Sequence, residues 1–350
     1  MSLWRTVRSC FPVADAWVHL DHARMAPASS RVDESLRGLL FDATRLPADD
    51  ATARYAAEVE RVRDRVARLL GADAGETAFV DHAARALALA VADVDWRRGD
   101  RLLAVGESLV LPESALSAAG VDLMHVPLHA GAFSLARIEE ALRHPRVRLL
   151  VTPAVEPGAG ARAPLSAIAE LCAERGVLLA VEASHHAGVL ALDLRGDGLD
   201  YVAADAHRFL LGLPGTAVLL RNARTAPGPG SAAERFEPAG GAGNALGVAA
   251  LGAGVDLLHE LAPSAVEKHV LALTDRLVDG LAERGIDPLV PRSAARSAIV
   301  TFRVGEETPA RSAERLRARR IAVSALDRGV RVSPHAWTTP GDSDALLEAL

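Results

Sequence analysis

Lysine is nearly missing from this chain, because its 350 residues include a single one, Lys268, and arginine carries the rest of the positive charge. Lys268 is therefore the only side-chain amine that can form an imine. It lies in the segment AVEKHVLALTDRL, whose apolar spacing predicts a helix, and lysine is rarely buried. We expect a solvated surface residue there, and no imine chemistry in a buried site.

Cysteine pairs, basic clusters and long apolar runs are scarce as well. Cys10 and Cys172 lie far apart and form no CxxC or zinc spacing, so we expect free thiols and neither a disulfide nor a metal site. The net charge is −6, and no block of arginine offers a surface to nucleic acid. No apolar run reaches about 18 residues, and the first residues lack a signal-peptide pattern. The sequence predicts a cytoplasmic protein without nucleic-acid or membrane partners.

The composition that is present is typical of a folded protein. Half of the residues are apolar and 24% are charged, which suits a chain that buries most of its surface. Since single cores stop growing at about 250–300 residues, one large domain and one smaller domain are expected.

Short apolar runs alternate with helical patterns over the first two thirds of the chain, which is typical of βα units in a mainly parallel sheet. The predicted helices include Ala83–Ala92, Leu135–Leu142 and Leu165–Arg175. Seven strands are predicted in one sheet: Thr77–Val80, Arg101–Val105, Asp122–Val126, Arg148–Thr152, Val177–Val181, Tyr201–Ala204 and Thr216–Leu220.

The pattern changes after Leu220, where the segments TAPGPG and AGGAG indicate loops. A long helical stretch follows from about Ala245 to Arg284. We predict an N-terminal arm over residues 1–20, a large domain over 21–250 and a small domain over 251–350. The predicted elements of the small domain are the strands Ala298–Arg303, Ile321–Ser324 and Val330–Val332 and the helices Pro309–Arg319 and Ser343–Leu350.

Six landmarks, in this order and spacing, resemble the class V aminotransferase family of the fold type I pyridoxal phosphate group, which includes cysteine desulfurases and isopenicillin N epimerase-like proteins. They are FPVADAWVHLDHARMAP, RVARLLGAD, DWRRGDRLLAVGES, PLSAIAELCAERGVLLAVEASHHAGVLALDL, DYVAADAHRFLLGLPGTAVLLRN and GVRVSPHAWTTPGDSDALLEAL. The resemblance implies an α/β fold with a large seven-stranded, mainly parallel sheet and a smaller C-terminal α+β domain. It also implies a homodimer whose site lies at the carboxyl edge of the large sheet.

The resemblance puts Arg208 where the family has its Schiff-base lysine, directly after a histidine, here His207. A guanidinium stays protonated and cannot form an imine. Phosphate contacts change as well: a threonine is replaced by Ala84, a hydroxyl by Asp205, and the partner subunit's Gly-Thr by Gly240-Gly241. Asp205 would repel a phosphate dianion. We therefore predict no cofactor, and we interpret Ala84, Glu182, Arg208 and Gly241 as relic positions of cofactor binding.

Two features that the resemblance implies are retained, the acidic residue that faces the cofactor ring, here Glu182, and the neighbouring His185. The family's carboxylate-binding arginine corresponds to Arg331, where a bidentate fork suits a carboxylate. We predict three catalytic residues, namely Glu182, His185 and His207. We predict four substrate-binding residues, namely His82, Asp205, Arg208 and Arg331.

Three functions remain open for such a site. The first is a repurposed enzyme of specialised bacterial metabolism that applies acid/base chemistry to a small amino-acid-derived or carboxylate substrate. The second is a non-catalytic subunit whose charges pair with one another, in a homodimer or with an active homologue. The third is pyridoxal or pyridoxamine phosphate bound without a covalent link. A metal site is not expected, because the adjacent His185 and His186 would point in different directions.

Overall fold

The computed structural model describes residues 3–106, 109, 111, 113–129, 131–225, 244–290 and 296–350. The strands are β1 Val18–His19, β2 Thr77–Val80, β3 Arg101–Val105, β4 Asp122–Val126, β5 Val147–Pro153, β6 Leu178–Glu182, β7 Tyr201–Asp205, β8 Ala217–Arg221, β9 Val300–Phe302, β10 Ile321–Ala322, β11 Ser324–Leu326 and β12 Gly329–Val332. The α-helices are α1 Leu3–Ser9, α2 Ser30–Ala43, α3 Ala48–Leu69, α4 Ala83–Ala92, α5 Glu113–Ala118, α6 Leu135–Leu142, α7 Leu165–Ala173, α8 Ala245–Leu261, α9 Pro263–Ala282, α10 Pro309–Ala318 and α11 Pro340–Ala349.

The large sheet has the strand order β2-β8-β7-β6-β5-β3-β4. Its strands pair in parallel except for β8, which runs antiparallel between β2 and β7. Central strands read as continuous buried runs, such as Leu149–Val151 and Leu179–Val181, because helices cover both faces of a parallel sheet. The predicted α/β fold with a seven-stranded, mainly parallel sheet is confirmed.

The predicted helical stretch from Ala245 to Arg284 was wrong as one element, because it consists of two helices. α8 ends at Leu261 and α9 begins at Pro263, and the pair is bent by 84°. Pro263 has no N–H to continue the helix, and Ala262 between them has a φ of 63°. Among the described helices none is alone long and apolar enough to cross a membrane, and α8 and α9 meet that criterion only as this bent pair.

Helix α8 approaches its neighbours closely because of its glycines. A Cβ on Gly252 would lie 2.4 Å from Cγ2 of Val62 in α3. A Cβ on Gly254 would lie 2.5 Å from the carbonyl oxygen of Leu210, in the loop that follows β7. Both distances are below what real Cβ atoms show. Helix α8 therefore supports that loop from behind through direct backbone contact.

Two smaller sheets combine distant parts of the chain. β11, β12 and β9 form an antiparallel sheet, while β1 near the N-terminus pairs in parallel with β10. The predicted strand Ile321–Ser324 is divided between β10 and β11. The predicted terminal helix starts three residues earlier than expected, at Pro340, since Thr339 and Asp342 form a capping box. Arg8 adds an ion pair to Asp342, at 2.7 Å. Residues 3–26, the N-terminal segment, are thus tied to β10 and α11.

A cluster of aromatic rings joins the N-terminal segment to residues near the C-terminus. The His22 ring is 4.8 Å from His19, 5.1 Å from His335 and 5.1 Å from Trp337. Burial lowers the pKa of His19 and of His335 to about 4, and it lowers the pKa of His22 well below its usual value. The three rings are therefore neutral at neutral pH and pack as apolar groups.

The close contact of α8 predicts a reversal of the usual effect of replacing a helical glycine by alanine. We expect Gly254→Ala to lower the free energy of unfolding by about 1–3 kcal/mol, since the methyl group would push into the Leu210 carbonyl. Gly38→Ala in α2, which meets nothing within 4 Å, should raise it by about 0.5–1 kcal/mol. Urea unfolding of both variants measures the difference. Equal stability of the two would contradict the contact.

The histidine cluster predicts acid sensitivity. Neutral rings are favoured in the folded state, so stability is complete above pH 6.5 and is lost as the pH falls from 6.5 towards 4. Each such histidine costs about 1.4 kcal/mol per pH unit in this window. We expect His22→Asn, which keeps an N–H donor for the Ser333 carbonyl, to reduce the slope of unfolding free energy against pH between 6.5 and 5.

The matched control is His125→Asn, at an exposed position of β4, which should leave the slope unchanged. The pKa values of Glu182 and Asp21 are raised by burial and act in the opposite direction, since protonated carboxyls favour the folded state as the pH falls. The comparison between variants removes this shared contribution. An identical slope for wild type and His22→Asn would show that the cluster does not resist protonation.

Candidate functional site

The candidate site lies at one edge of the large sheet. β5, β6 and β7 are adjacent and parallel, so their carboxyl ends meet at the same edge. Glu182 is the last residue of β6 and Asp205 the last residue of β7. The following loops carry His185 and Arg208. The topology brings these four side chains together, as the sequence indicated.

Glu182 and His185 face each other, and burial shifts their pKa values in opposite directions. Oε1 of Glu182 accepts a hydrogen bond from the Ser184 N–H at 3.0 Å, and Oε2 lies 4.0 Å from Nδ1 of His185. Burial raises the pKa of Glu182, against the hydrogen bond from Ser184. Burial lowers the pKa of His185 well below its usual value, and the charge of Arg208 lowers it further. The imidazole is neutral, while the carboxyl retains its proton to higher pH than an exposed one.

Arg208 and the Ala23 carbonyl hold the His185 ring at its Nε2 atom. Nη1 of Arg208 donates to the carbonyl oxygen of Ala23 and lies 3.1 Å from Nε2 of His185, and the same carbonyl oxygen lies 3.2 Å from that Nε2. Nε2 accepts from the guanidinium in one tautomer and donates to the carbonyl in the other. In both tautomers Nδ1 faces Glu182. Among the described residues, this buried Nδ1 has no hydrogen-bond partner.

Asp205 connects the sheet to helix α4. Its Oδ1 accepts the N–H of Ala83, the first residue of α4, at 2.9 Å, and its Oδ2 lies 3.4 Å from Nε of Arg208. The backbone N–H of Asp205 donates to Oγ of Ser184 at 2.9 Å, which fixes the carboxylate from behind. A helix N-terminus carries partial positive charge, so the carboxylate has two positive neighbours. Asp205 is therefore engaged within the chain.

The loop that carries Arg208 is held tightly. Leu211 has a φ of 61°, in the left-handed region that non-glycine residues rarely adopt, and its N–H donates to the carbonyl of Arg208 at 3.2 Å. The carbonyl of His207 accepts the Ala26 N–H at 2.8 Å. The half-buried ring of His207 has a lowered pKa because of burial, an effect that the charge of Asp205 opposes. The N-terminal segment thus fixes this loop from its open side.

Arg331 enters the site from β12 of the small sheet. Its Nη1 donates to the Pro157 carbonyl at 2.8 Å, and its Nη2 lies 3.5 Å from Oγ of Ser324 and 4.0 Å from Oδ1 of Asp21. Burial lowers the pKa of this guanidinium from its usual value, and Asp21 opposes the effect. Its buried Nε has no hydrogen-bond partner among the described residues. Arg331 therefore retains an uncommitted donor.

The remaining predicted positions lie around the start of α4. His82 caps this helix, with Nδ1 accepting the Arg85 N–H at 3.0 Å, and its side chain is 58% exposed. Ala84 lies in the first turn and offers no side-chain hydrogen bond. Gly241, the fourth predicted relic position, lies outside the described residues.

Sequence reasoning missed the contribution of the N-terminal segment. Asp21 accepts a hydrogen bond from Ser324 at 2.6 Å and faces Arg331, and the carbonyl of Ala23 binds Arg208. A carbonyl contact leaves no signature in the side-chain pattern. The available signal was Asp21 itself, a charged residue within the landmark at the start of the chain.

Lys268 lies on α9 and is exposed, as the sequence predicted. It is the only lysine of the whole chain, so the site contains no side-chain amine. Across the described ranges, no group of three His, Cys, Asp or Glu side chains is arranged to hold a metal ion. The site consists of arginines, carboxylates and imidazoles.

Comparisons with known proteins agree with this architecture. Residues 42–339 match the model of the aminotransferase class-V family. The uncharacterized aminotransferase YcbU of Bacillus subtilis is 24% identical over 302 residues, which cover 81% of this chain and 80% of the relative. A probable cysteine desulfurase of Methanothermobacter thermautotrophicus is 24% identical, over 77% of this chain and 74% of its own.

Solved structures show the same fold at low identity. The apo cysteine desulfurase of Thermococcus onnurineus superimposes with a TM-score of 0.89 at 19% identity and covers 99% of this chain and 97% of its own. The lyase C-DES, solved with glycine covalently linked to its PLP cofactor, has a TM-score of 0.85 at 19% identity, with 97% and 98% covered. The matched family model spans most of the chain, and the chain therefore belongs to the aminotransferase class-V family.

Proposed function

We propose that this protein is a proton-transfer enzyme that acts on a small amino-acid-derived or carboxylate substrate without lysine-bound pyridoxal phosphate. The observation that carries the proposal is the Glu182 and His185 pair, whose pKa values are shifted in opposite directions and whose facing ring nitrogen is buried without a partner. Titratable pairs with divergent environments are typical of acid/base sites.

The residues present do not fit a lysine-linked cofactor. The family normally uses pyridoxal phosphate, yet the only lysine here is exposed on α9. Arg208, the residue that follows His207, cannot form an imine, and its donors are directed to Asp205, Ala23 and His185. The N–H of Ala83 at the start of α4 already has a carboxylate partner. No step of the proposed chemistry passes through the cofactor.

The proposed division of roles follows from the contacts. Glu182 is the proton donor and acceptor at Oε2, because its raised pKa brings it nearer to neutral pH. His185 is a positioning residue whose Nδ1 faces Glu182, while His207, exposed on one side, is a second candidate for proton exchange with solvent. Arg331 is the group for a substrate carboxylate, since its Nε is uncommitted. Arg208 and Asp205, predicted as substrate ligands, serve here to organise the site.

A second function is favoured by a different observation. The charges of the site pair internally, Arg208 with Asp205 and Arg331 with Asp21, as in a pocket whose charges neutralise one another and perform no chemistry. A non-catalytic subunit, in a homodimer or paired with an active homologue, would have this character. From the sequence, we also propose that the protein is cytoplasmic.

The enzyme proposal predicts isotope exchange. We expect the protein, incubated in D₂O with a panel of amino acids and 2-oxo acids, to exchange for deuterium the C2 hydrogen of at least one amino acid or a C3 hydrogen of at least one 2-oxo acid. Proton NMR follows the loss of that signal. Glu182→Gln should slow this exchange by about 10²-fold or more, because it removes the titrating oxygen. Glu170→Gln, at an exposed position of α7, is the matched control and should retain the wild-type rate. No exchange by the wild type, or equal exchange by Glu182→Gln and Glu170→Gln, would favour the non-catalytic subunit.

The absence of a lysine imine has its own test. Lys268→Arg yields a chain without any lysine, and we expect its activity to match the wild type and its unfolding free energy to differ by less than about 0.5 kcal/mol. After incubation with pyridoxal phosphate and borohydride, mass spectrometry should find no adduct within the site. Loss of activity in Lys268→Arg, or a visible imine band that disappears with it, would reject the proposal.

A further inference from the structure

The start of helix α4 and the guanidinium of Arg208 face the same carboxylate. Oδ1 of Asp205 accepts the N–H of Ala83 at 2.9 Å, and Oδ2 lies 3.4 Å from Nε of Arg208. Only 13% of the Asp205 side chain is exposed. A free N–H at a helix start together with a guanidinium is the combination that holds phosphate groups in proteins. Here the chain itself supplies the anion.

The carboxylate is held in place from several directions. Its backbone N–H donates to Oγ of Ser184, and Asp205 pairs with Ala217 in the ladder between β7 and β8. On the helix side, the neighbouring N–H of Arg85 is taken by Nδ1 of His82. Two of the first three N–H groups of α4 are therefore bound to acceptors of the chain. A phosphate could gain them only by displacing both.

We infer that Asp205 is a specificity-determining residue, a built-in anion that occupies the position of a ligand's phosphate and restricts this site to ligands without one. A phosphate dianion brought to the same two donors would meet the Asp205 charge at close range in a partly buried setting, where repulsion is strong. Arg331 lacks such a built-in anion, which supports this assignment. The carboxylate of Asp21 lies 4.0 Å from Arg331, and the Nε of Arg331 has no hydrogen-bond partner among the described residues. The inference does not require the site to be catalytic.

Asp205→Asn tests the inference directly. The amide keeps an oxygen for the Ala83 N–H but removes the charge that neutralises Arg208 and the helix start. We expect inorganic phosphate, compared with sodium chloride at matched ionic strength, to leave the melting temperature of wild type unchanged and to raise that of Asp205→Asn. By calorimetry, the variant should bind phosphate at least ten-fold more tightly than wild type. Asp33→Asn, which removes one charge on the exposed face of α2, should behave as wild type does.

The double variant Asp205→Asn/Arg208→Gln distinguishes a site from a general effect of charge. It should lose the phosphate response that Asp205→Asn gains, since one of the two donors is gone. If Asp205→Asn is recovered only as aggregate, the same comparison is made on refolding yield, which phosphate should rescue and chloride should not. Phosphate binding by wild type as tight as by the variant overturns the inference. The inference is also overturned if Asp205→Asn aggregates equally in phosphate and in chloride, or if the double variant keeps the phosphate response.

Discussion

The carboxylate of Asp205, set between the start of α4 and the guanidinium of Arg208, is the interaction on which the rest of the site depends. It neutralises the positive end of a helix and a side chain that is three quarters buried. With its Nε directed to Asp205, Arg208 can place Nη1 between the Ala23 carbonyl and the His185 ring. That placement holds the His185 ring with Nδ1 facing Glu182. Four residues are thus positioned by one ion pair.

The fold provides a rigid support for this ion pair. Helix α8 presses against the carbonyl of Leu210, two residues beyond Arg208, and only glycine at 254 permits that approach. On the other side, the segment 21–26 closes over the loop with hydrogen bonds from Ala26 to His207 and from Arg208 to Ala23. The residues that precede it are anchored to the C-terminal part of the chain, because β1 pairs with β10 and Arg8 forms an ion pair with Asp342 in α11. Large sheet, small sheet and N-terminal segment therefore share one site, which couples its geometry to the stability of all three.

The sequence predicted the large sheet well, because its strands are short apolar runs between polar turns and each falls within a residue or two of its observed position. It failed at the α8 to α9 break, since apolar spacing continues across Ala262 and only Pro263 indicated an end. Glu182, His185, Asp205 and Arg208 were identified through the resemblance to the class V aminotransferase family, and the ends of β6 and β7 bring them together. Asp21 and the Ala23 carbonyl were not identified, because their roles arise from contacts across more than a hundred residues of chain, one of them through backbone alone.

The charge arrangement explains why such a site is stable as it stands. Burial raises the pKa of Glu182 and lowers the pKa of His185, which favours the neutral form of both. The two therefore add little charge to a region that already contains Arg208 and Asp205. Arg208 and Asp205 neutralise each other, and a buried pair is costly to break by removing one partner. Replacing Arg208 alone would leave Asp205 with the helix start as its remaining positive neighbour, while replacing Asp205 alone would leave Arg208 and α4 facing each other. Either single replacement therefore removes the opposite charge that its partner now has.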